Sequence, residues 1–141
     1  MRIVFWGTPE FAVKCLNQIH NSGNEIVSVI TQPDRKRGRG KALSFSPIKK
    51  RSLELNLNVL SPLSLKSDVY IKNQLTELQP DIFVVVAYGQ ILPKDILEIP
   101  KYGSWNVHAS LLPRWRGSAP IQWSLIEGDK HTGVGIMRME E

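Results

Sequence analysis

The stretch NVHASLLPRWRGSAP, residues 106–120, places an amide and an imidazole two positions apart at the end of a short apolar segment. Because side chains alternate along a strand, Asn106 and His108 would point to one face of a sheet and Trp105 and Val107 to the other. An amide donor beside an imidazole, a group that can be charged near neutral pH, can stabilise the negative oxygen of an acyl transfer. The alternative is that both side chains only satisfy backbone groups of the following loop.

Short apolar segments alternate with helical patterns through the rest of the chain. Thr8 and Pro9 are typical of a helix start, as the N-cap and the first helical residue. Strands are predicted at residues 2–6, 25–31, 59–60, 82–87, 104–108 and 132–137, helices at 9–22, 47–57, 68–78 and 120–127, and irregular loops at 32–46 and 87–100. This alternation predicts an α/β fold, an open, mostly parallel, Rossmann-like sheet with helices on both faces. In such a sheet, ligands bind outside the carboxyl ends of the strands.

Length and composition restrict the class of protein. A chain of 141 residues with 42% hydrophobic content has the size of one domain. The apolar runs are too short to cross a bilayer, and the amino terminus becomes polar too early for a signal peptide, so we expect a cytoplasmic protein without a membrane partner. The single Cys15 excludes an internal disulfide and lies on an apolar helical face, which favours a core role over a nucleophilic one. His20 and His131 have no partners at ligand spacing, so no metal site is expected.

Positive charge is concentrated in one segment. Residues 35–51 contain eight Lys and Arg and no acidic residue, whereas the rest of the chain has 10 cationic against 13 acidic residues. The formal net charge of +5 therefore comes from one patch. Such a run is either a solvated surface or a nucleic-acid contact, and the Gly38-Arg39-Gly40 segment offers backbone groups to an anion.

The stretch 106–120 resembles the signature of formyltransferases that use 10-formyltetrahydrofolate, in which Asn-x-His-x-Ser-Leu-Leu-Pro precedes an Arg-Gly turn. Further blocks, in order along the chain, are similar to those of methionyl-tRNA formyltransferases: WGTPEFA (6–12), TQPDRKRGRGKA (31–42) with SPIK (46–49), VVVAYGQILP (84–93) and APIQWSLIEGDKHTGVGIM (119–137). The similarity covers nearly the whole chain. Several ordered blocks are more specific than any one motif.

The resemblance implies the formyltransferase fold and transfer of a formyl group from 10-formyltetrahydrofolate to the amino group of methionine on initiator tRNA, without a metal and by a monomer. It assigns catalysis to Asn106 and His108. It assigns tetrahydrofolate binding to Ser110, Leu111, Leu112, Pro113, Tyr88, Gly89, Gln90, Ile91 and Leu92, and tRNA binding to Arg35, Lys36, Arg37, Arg39 and Lys41.

Members of this family carry a further catalytic Asp in a Gly-Leu-Asp-Thr-Gly turn after the stretch that here reads GIMRMEE, residues 135–141. We therefore expect residues 1–141 to form a catalytic domain cut before its last catalytic residue, without the carboxyl-terminal tRNA-binding domain, and to be inactive alone. Three alternatives remain at the level of sequence. Two are formyltransferases acting on glycinamide ribonucleotide, whose glycine-rich phosphate loop is missing from WGTPEF, or on sugar nucleotides. The third is a non-catalytic RNA-binding α/β module, which would not bind folate.

Overall fold

The computed structural model describes residues 1–37, 42–66 and 68–140. Six strands form one open sheet in the order β5-β2-β1-β6-β7-β8, parallel except that β8 runs antiparallel to β7 at one edge. The strands are β1 (Arg2–Gly7), β2 (Glu25–Ile30), β5 (Val59–Leu60), β6 (Ile82–Val86), β7 (Ser104–His108) and β8 (Gly135–Arg138). The predicted α/β class and the mostly parallel sheet are confirmed.

Helices follow the strands and pack on the sheet. They are α1 (Glu10–His20), α2 (Pro47–Glu54), α3 (Val69–Glu77), α4 (Lys94–Leu97) and α5 (Pro120–Ile126). Ser46 caps α2 by accepting from the Lys49 amide at 3.0 Å, and Asp68 caps α3 by accepting from the Ile71 amide at 3.1 Å. No helix in the described part of the chain is long and apolar enough to cross a membrane.

The core lies on both faces of the central strand β1. On one face, Trp6 packs against Phe83, with ring centroids 5.3 Å apart, and against Tyr88 in an edge-to-face contact at 5.1 Å. On the other face, Phe5 packs with Leu16 of α1 and other buried apolar residues. Burial of both faces explains why β1 and β6 are almost continuously apolar.

Two segments that were predicted to be irregular contain regular structure. The basic segment forms an antiparallel hairpin of β3 (Arg35–Arg37) and β4 (Ala42–Ser44), in which Lys36 pairs with Leu43. Helix α4 follows Pro93 and buries Ile96 and Leu97. Both predictions failed because elements of three or four residues are too short to show a periodicity.

The start of α1 also differs from the prediction. Pro9 is the N-cap residue, and Thr8 does not cap the helix. The Thr8 hydroxyl instead donates to the Tyr88 carbonyl at 2.8 Å, so a contact between distant parts of the chain replaces the local cap. The other predicted elements are present, with ends that differ by a few residues.

Candidate active site

A cleft of about 550 Å³ opens where β1, β6 and β7 end. In the strand order, β1 connects to β2, its neighbour toward one edge of the sheet, whereas β6 connects to β7, its neighbour toward the other edge. The connections diverge at this point, which is where open α/β sheets bind ligands. The lining comes from five parts of the chain, which are Pro9 and Phe11, Val85 with residues 87–90, residues 106–109, residues 117–122, and Met139.

Asn106 and His108 both line this cleft, as the alternation of strand side chains predicts. Their strand lies between β6 and β8, and its register is held by pairing of Asn106 with Met137 and of His108 with Gly135. Trp105 lines a separate apolar groove beside α1, and Val107 lines both this groove and the cleft. The side-chain amide of Asn106 makes no hydrogen bond with a described residue, whereas its backbone is paired with β6 and β8.

The orientation of the His108 ring is set by a backbone carbonyl. His108 Nε2 lies 2.9 Å from the Trp115 carbonyl oxygen. Since a carbonyl oxygen only accepts hydrogen bonds, this contact requires a proton on Nε2. Nδ1 is then the ring nitrogen available to a substrate.

The loop after β6 contributes backbone to the cleft. The Tyr88 ring is buried in the core, and this burial raises the pKa of its hydroxyl to about 12. Its carbonyl accepts from Thr8 Oγ1 at 2.8 Å and from Gln32 Nε2 at 3.3 Å. Gly89, at φ +91°, and Gln90 complete this wall. Tyr88, Gly89 and Gln90 therefore lie beside Asn106 and His108.

The remaining residues with an expected folate role lie outside the cleft lining. Leu92 is buried in the core, and Ile91 is 83% exposed. Leu111 packs over Gly133 and Leu112 over Gly135, on the loop that follows β7. Ser110 is fully buried and its hydroxyl has no partner among the described residues, while Pro113 continues the same loop.

Strained backbone lies in the same region, and nothing in the sequence indicates it. Ala87 and Ala119 line the cleft with φ of +49° and +54°, and nearby Trp115 has φ +56°. Left-handed backbone costs a residue with a Cβ on the order of 1–2 kcal/mol. Such strain concentrates at functional sites, where the surrounding structure holds it in place.

The basic hairpin joins the cleft wall through one glutamine. Gln32 Oε1 accepts from Gln90 Nε2 at 3.2 Å and from Arg35 Nη2 at 3.4 Å. Arg35 and Lys36 are exposed on β3. The Arg37 side chain, Arg39 and Lys41 lie outside the described residues, so the expected tRNA contact is described only in part.

The sequence pattern of the Formyl transferase family matches residues 1–141. The chain belongs to the formyl transferase family. A methionyl-tRNA formyltransferase from Prochlorococcus marinus subsp. pastoris is 60% identical over 141 residues, which are 100% of this chain and 43% of that protein. Another from a Synechococcus strain is 58% identical over 141 residues, with 100% of this chain and 42% of that protein covered. The chain thus spans less than half the length of these curated relatives.

A solved structure shares the fold. Phosphoribosylglycinamide formyltransferase from Bacillus halodurans superposes with a TM-score of 0.77 at 21% identity, over 100% of this chain and 73% of that chain. At this identity the likeness shows the formyltransferase fold alone.

The formyl transferase cleft has no carboxylate among its described lining residues. Nor do three His, Cys, Asp or Glu side chains within the described ranges come close enough to hold a metal ion. A carboxylate that the sequence did not indicate, Asp129, lies nearby. It bonds Arg114 and Trp115, and these bonds lower its pKa to about 2. Its partners lie 14 and 15 residues away, so no local motif indicates the contact.

Proposed function

We propose that this chain forms the catalytic part of a methionyl-tRNA formyltransferase. The reaction would transfer the formyl group of 10-formyltetrahydrofolate to the amino group of methionine on initiator tRNA, for translation initiation in the cytoplasm. One observation carries the proposal: Asn106 and His108 share a cleft at the end of β7 in a chain that is 60% identical to a protein of this name.

The cleft is suited to a folate. Its volume of about 550 Å³ lies within the range of small-molecule sites. Apolar surface from Phe11, Val85 and Ile121 would contact a flat heterocycle, and the backbone of residues 87–90 would offer hydrogen bonds to its edge. Asn106 and His108 lie in the same cleft, which fits a formyl group carried next to the ring.

Asn106 and His108 would act on the developing charge. Bound 10-formyltetrahydrofolate supplies an electrophilic formyl carbon. As the methionine amine bonds to the formyl carbon, negative charge would grow on the formyl oxygen, and Asn106 Nδ2 would donate a hydrogen bond to it. The bond from the formyl carbon to the folate nitrogen would then break, and tetrahydrofolate would leave. His108, when protonated, donates from Nδ1, because Nε2 is already engaged by the Trp115 carbonyl. The Trp115 carbonyl holds the His108 ring before the reaction, so this donor would stabilise the transition state without reorganising.

The attacking amine must also lose a proton. A carboxylate would serve as the base, but the described cleft lining has none. The resemblance to the family implies a catalytic Asp in a Gly-Leu-Asp-Thr-Gly turn that follows the stretch GIMRMEE, residues 135–141. We therefore propose that the complete active site draws this group from that turn.

The basic hairpin would contact tRNA phosphates. Arg35 and Lys36 are exposed, and Arg35 is tied through Gln32 to the cleft wall. Positive charge here would hold the acceptor end of the tRNA close to the formyl donor. Arg37, Arg39 and Lys41 would extend this contact.

The test measures formyl transfer to charged initiator tRNA by the full-length natural protein. Asn106→Ala and His108→Ala are each expected to lower kcat by roughly two to three orders of magnitude, the loss typical of removing one oxyanion donor. Folate affinity should change far less. Asn73→Ala and His20→Ala are matched controls, since both residues are exposed on helices away from the cleft. Rates within a few-fold of wild type for the two cleft variants would refute the proposed site.

Acceptor competition separates the alternatives. The wild-type protein should formylate charged initiator tRNA and should not formylate glycinamide ribonucleotide or an amino sugar nucleotide. Transfer to either small acceptor would replace the proposed substrate by that one. Tight RNA binding without folate binding would show a non-catalytic RNA-binding module.

A further inference from the structure

Asp129 is placed by the end of α5. The turn after this helix has Gly128 at φ +65°, with its amide donating to the Leu125 carbonyl at 3.1 Å. The Asp129 amide then donates to the Ser124 carbonyl at 2.9 Å. Ser124 is buried. The backbone of Asp129 is therefore fixed to the helix end.

The carboxylate of Asp129 reaches back to the loop after β7. It accepts from Arg114 Nε at 2.9 Å, from Arg114 Nη2 at 2.7 Å and from Trp115 Nε1 at 2.6 Å. The Arg114 guanidinium lies 4.4 Å from the centre of the Trp115 ring, and that ring stacks on Trp123 of α5 with centroids 6.0 Å apart. We call Asp129, Arg114, Trp115 and Trp123 the Asp129 clasp. The clasp thus joins the loop after β7 to α5 and the turn that follows it, both by hydrogen bonds to the carboxylate and by aromatic stacking.

The clasp holds a strained residue whose carbonyl contacts His108. Trp115 has φ +56°, a conformation that a tryptophan adopts only where its surroundings impose it. Its side chain is held by Asp129 and Trp123, and its carbonyl oxygen accepts from His108 Nε2 at 2.9 Å. If the side chain were released, the backbone would relax toward an ordinary conformation and the carbonyl would turn away from the ring.

We propose that Asp129 is a positioning residue for His108. By holding Trp115, it keeps a carbonyl against Nε2, and this keeps the proton on Nε2 and leaves Nδ1 for the substrate. The catalytic consequence rests on the proposed function, whereas the effect on the His108 ring does not depend on any activity.

Two measurements on the full-length protein test the clasp. In wild type, the His108 Nε2 proton is hydrogen-bonded and should give a ring ¹H–¹⁵N cross-peak protected from solvent exchange, assigned by its loss in His108→Gln. In Asp129→Asn this cross-peak should be lost or exchange rapidly. In the formyl-transfer assay, kcat should fall on the order of 10- to 100-fold, the loss expected when a reacting group is misplaced. The KM values for both substrates should stay close to those of wild type, because Asp129 does not line the cleft.

Asp95→Asn is the matched control. It removes a carboxylate that pairs with Lys72 at 2.9 Å on the surface, away from the cleft. It should leave both the cross-peak and kcat unchanged. Trp115→Phe keeps an aromatic ring but loses the indole donor to Asp129, and it should weaken the cross-peak protection even if Asp129→Asn does not fold.

Distinct results overturn the two proposals. A protected His108 cross-peak in Asp129→Asn would overturn the proposal that Asp129 positions the His108 ring. If Asp129→Asn does not fold, a protected cross-peak in Trp115→Phe would overturn it. An unchanged kcat in the variant that folds would overturn its catalytic consequence. If the wild-type protein transfers no formyl group, the proposed function fails, and the cross-peak alone still decides whether Asp129 positions the ring.

Discussion

Replacement of Gly7 by Ala is expected to destabilise the protein through a steric conflict at the end of β1. A Cβ on Gly7 would lie 2.9 Å from Phe5 Cε1, 3.0 Å from Ala12 Cβ and 3.0 Å from the Val86 carbonyl oxygen. Phe5 is fully buried, and Val86 belongs to the strand that pairs with β1, so neither has room to move. Relief must come from a shift of α1, which carries Ala12.

The magnitude follows from two opposing effects. Overpacking of a close-packed interior costs about 1–3 kcal/mol. Gly7 does not have a positive φ, so the substitution also reduces the entropy of the unfolded chain, which returns about 0.4–1 kcal/mol. The net loss is on the order of 1–2 kcal/mol, or a melting temperature lower by roughly 2–8 °C.

The assay is thermal unfolding followed by circular dichroism, with Gly135→Ala as the matched control. At Gly135 the nearest atom to a new Cβ is Leu112 Cδ1 at 3.3 Å, at the end of a partly exposed side chain that can move aside. The control should stay within about 0.5 kcal/mol of wild type. If Gly7→Ala melts together with the control, the conflict at the end of β1 does not exist.

Three further outcomes are expected. Lys36→Ala and Lys50→Ala each remove an exposed cation that has no ion-pair partner among the described residues, so each should weaken tRNA binding and lower the slope of its salt dependence by up to about one unit. Lys49→Ala should have a smaller effect, since Lys49 is already paired with Asp34 at 2.7 Å. Equal slopes for the three variants in a salt titration would contradict this. The pKa of Asp129 in the folded protein is about 2 against an ordinary 3.8, so its stabilisation is complete above about pH 4 and is lost as the pH falls toward 2. The melting temperatures of wild type and Asp129→Asn should therefore converge over that range, and a constant difference would show that the carboxylate does not stabilise the fold. Residues 1–141 expressed alone should transfer no measurable formyl group, because the described cleft lining has no carboxylate, and turnover comparable to that of the full-length protein would show that none is needed.

Much of the fold was predictable because its strands are buried on both faces. The continuous apolar segments that became β1, β2 and β6 need no tertiary information to be recognised. The hairpin of β3 and β4 was not predictable, since each strand has three residues and the segment is dominated by like charges. Thr8 shows a different limit: its hydroxyl has a local and a distant partner available, and only the fold decides between them.

The residues of the candidate site also include some that the sequence predicts and some that it does not. Asn106 and His108 were predictable because a period of two residues determines which side chains share a face. Asp129 and Gln32 were not, because their hydrogen bonds join residues that are distant in sequence. The left-handed backbone at Ala87 and Ala119 was also invisible, since alanine carries no signal for that conformation.

The position of the cleft has an evolutionary consequence. It exists because the connections after β1 and β6 leave the sheet in opposite directions, and this divergence depends on the order of the strands rather than on any side chain at the surface. Mutations in the loops can therefore change which formyl acceptors the cleft accommodates, by size and by charge, while every strand keeps its neighbours. A lineage that inherited this strand order would keep the crevice through each change of substrate, so new acceptors would arise by rebuilding the loops around it.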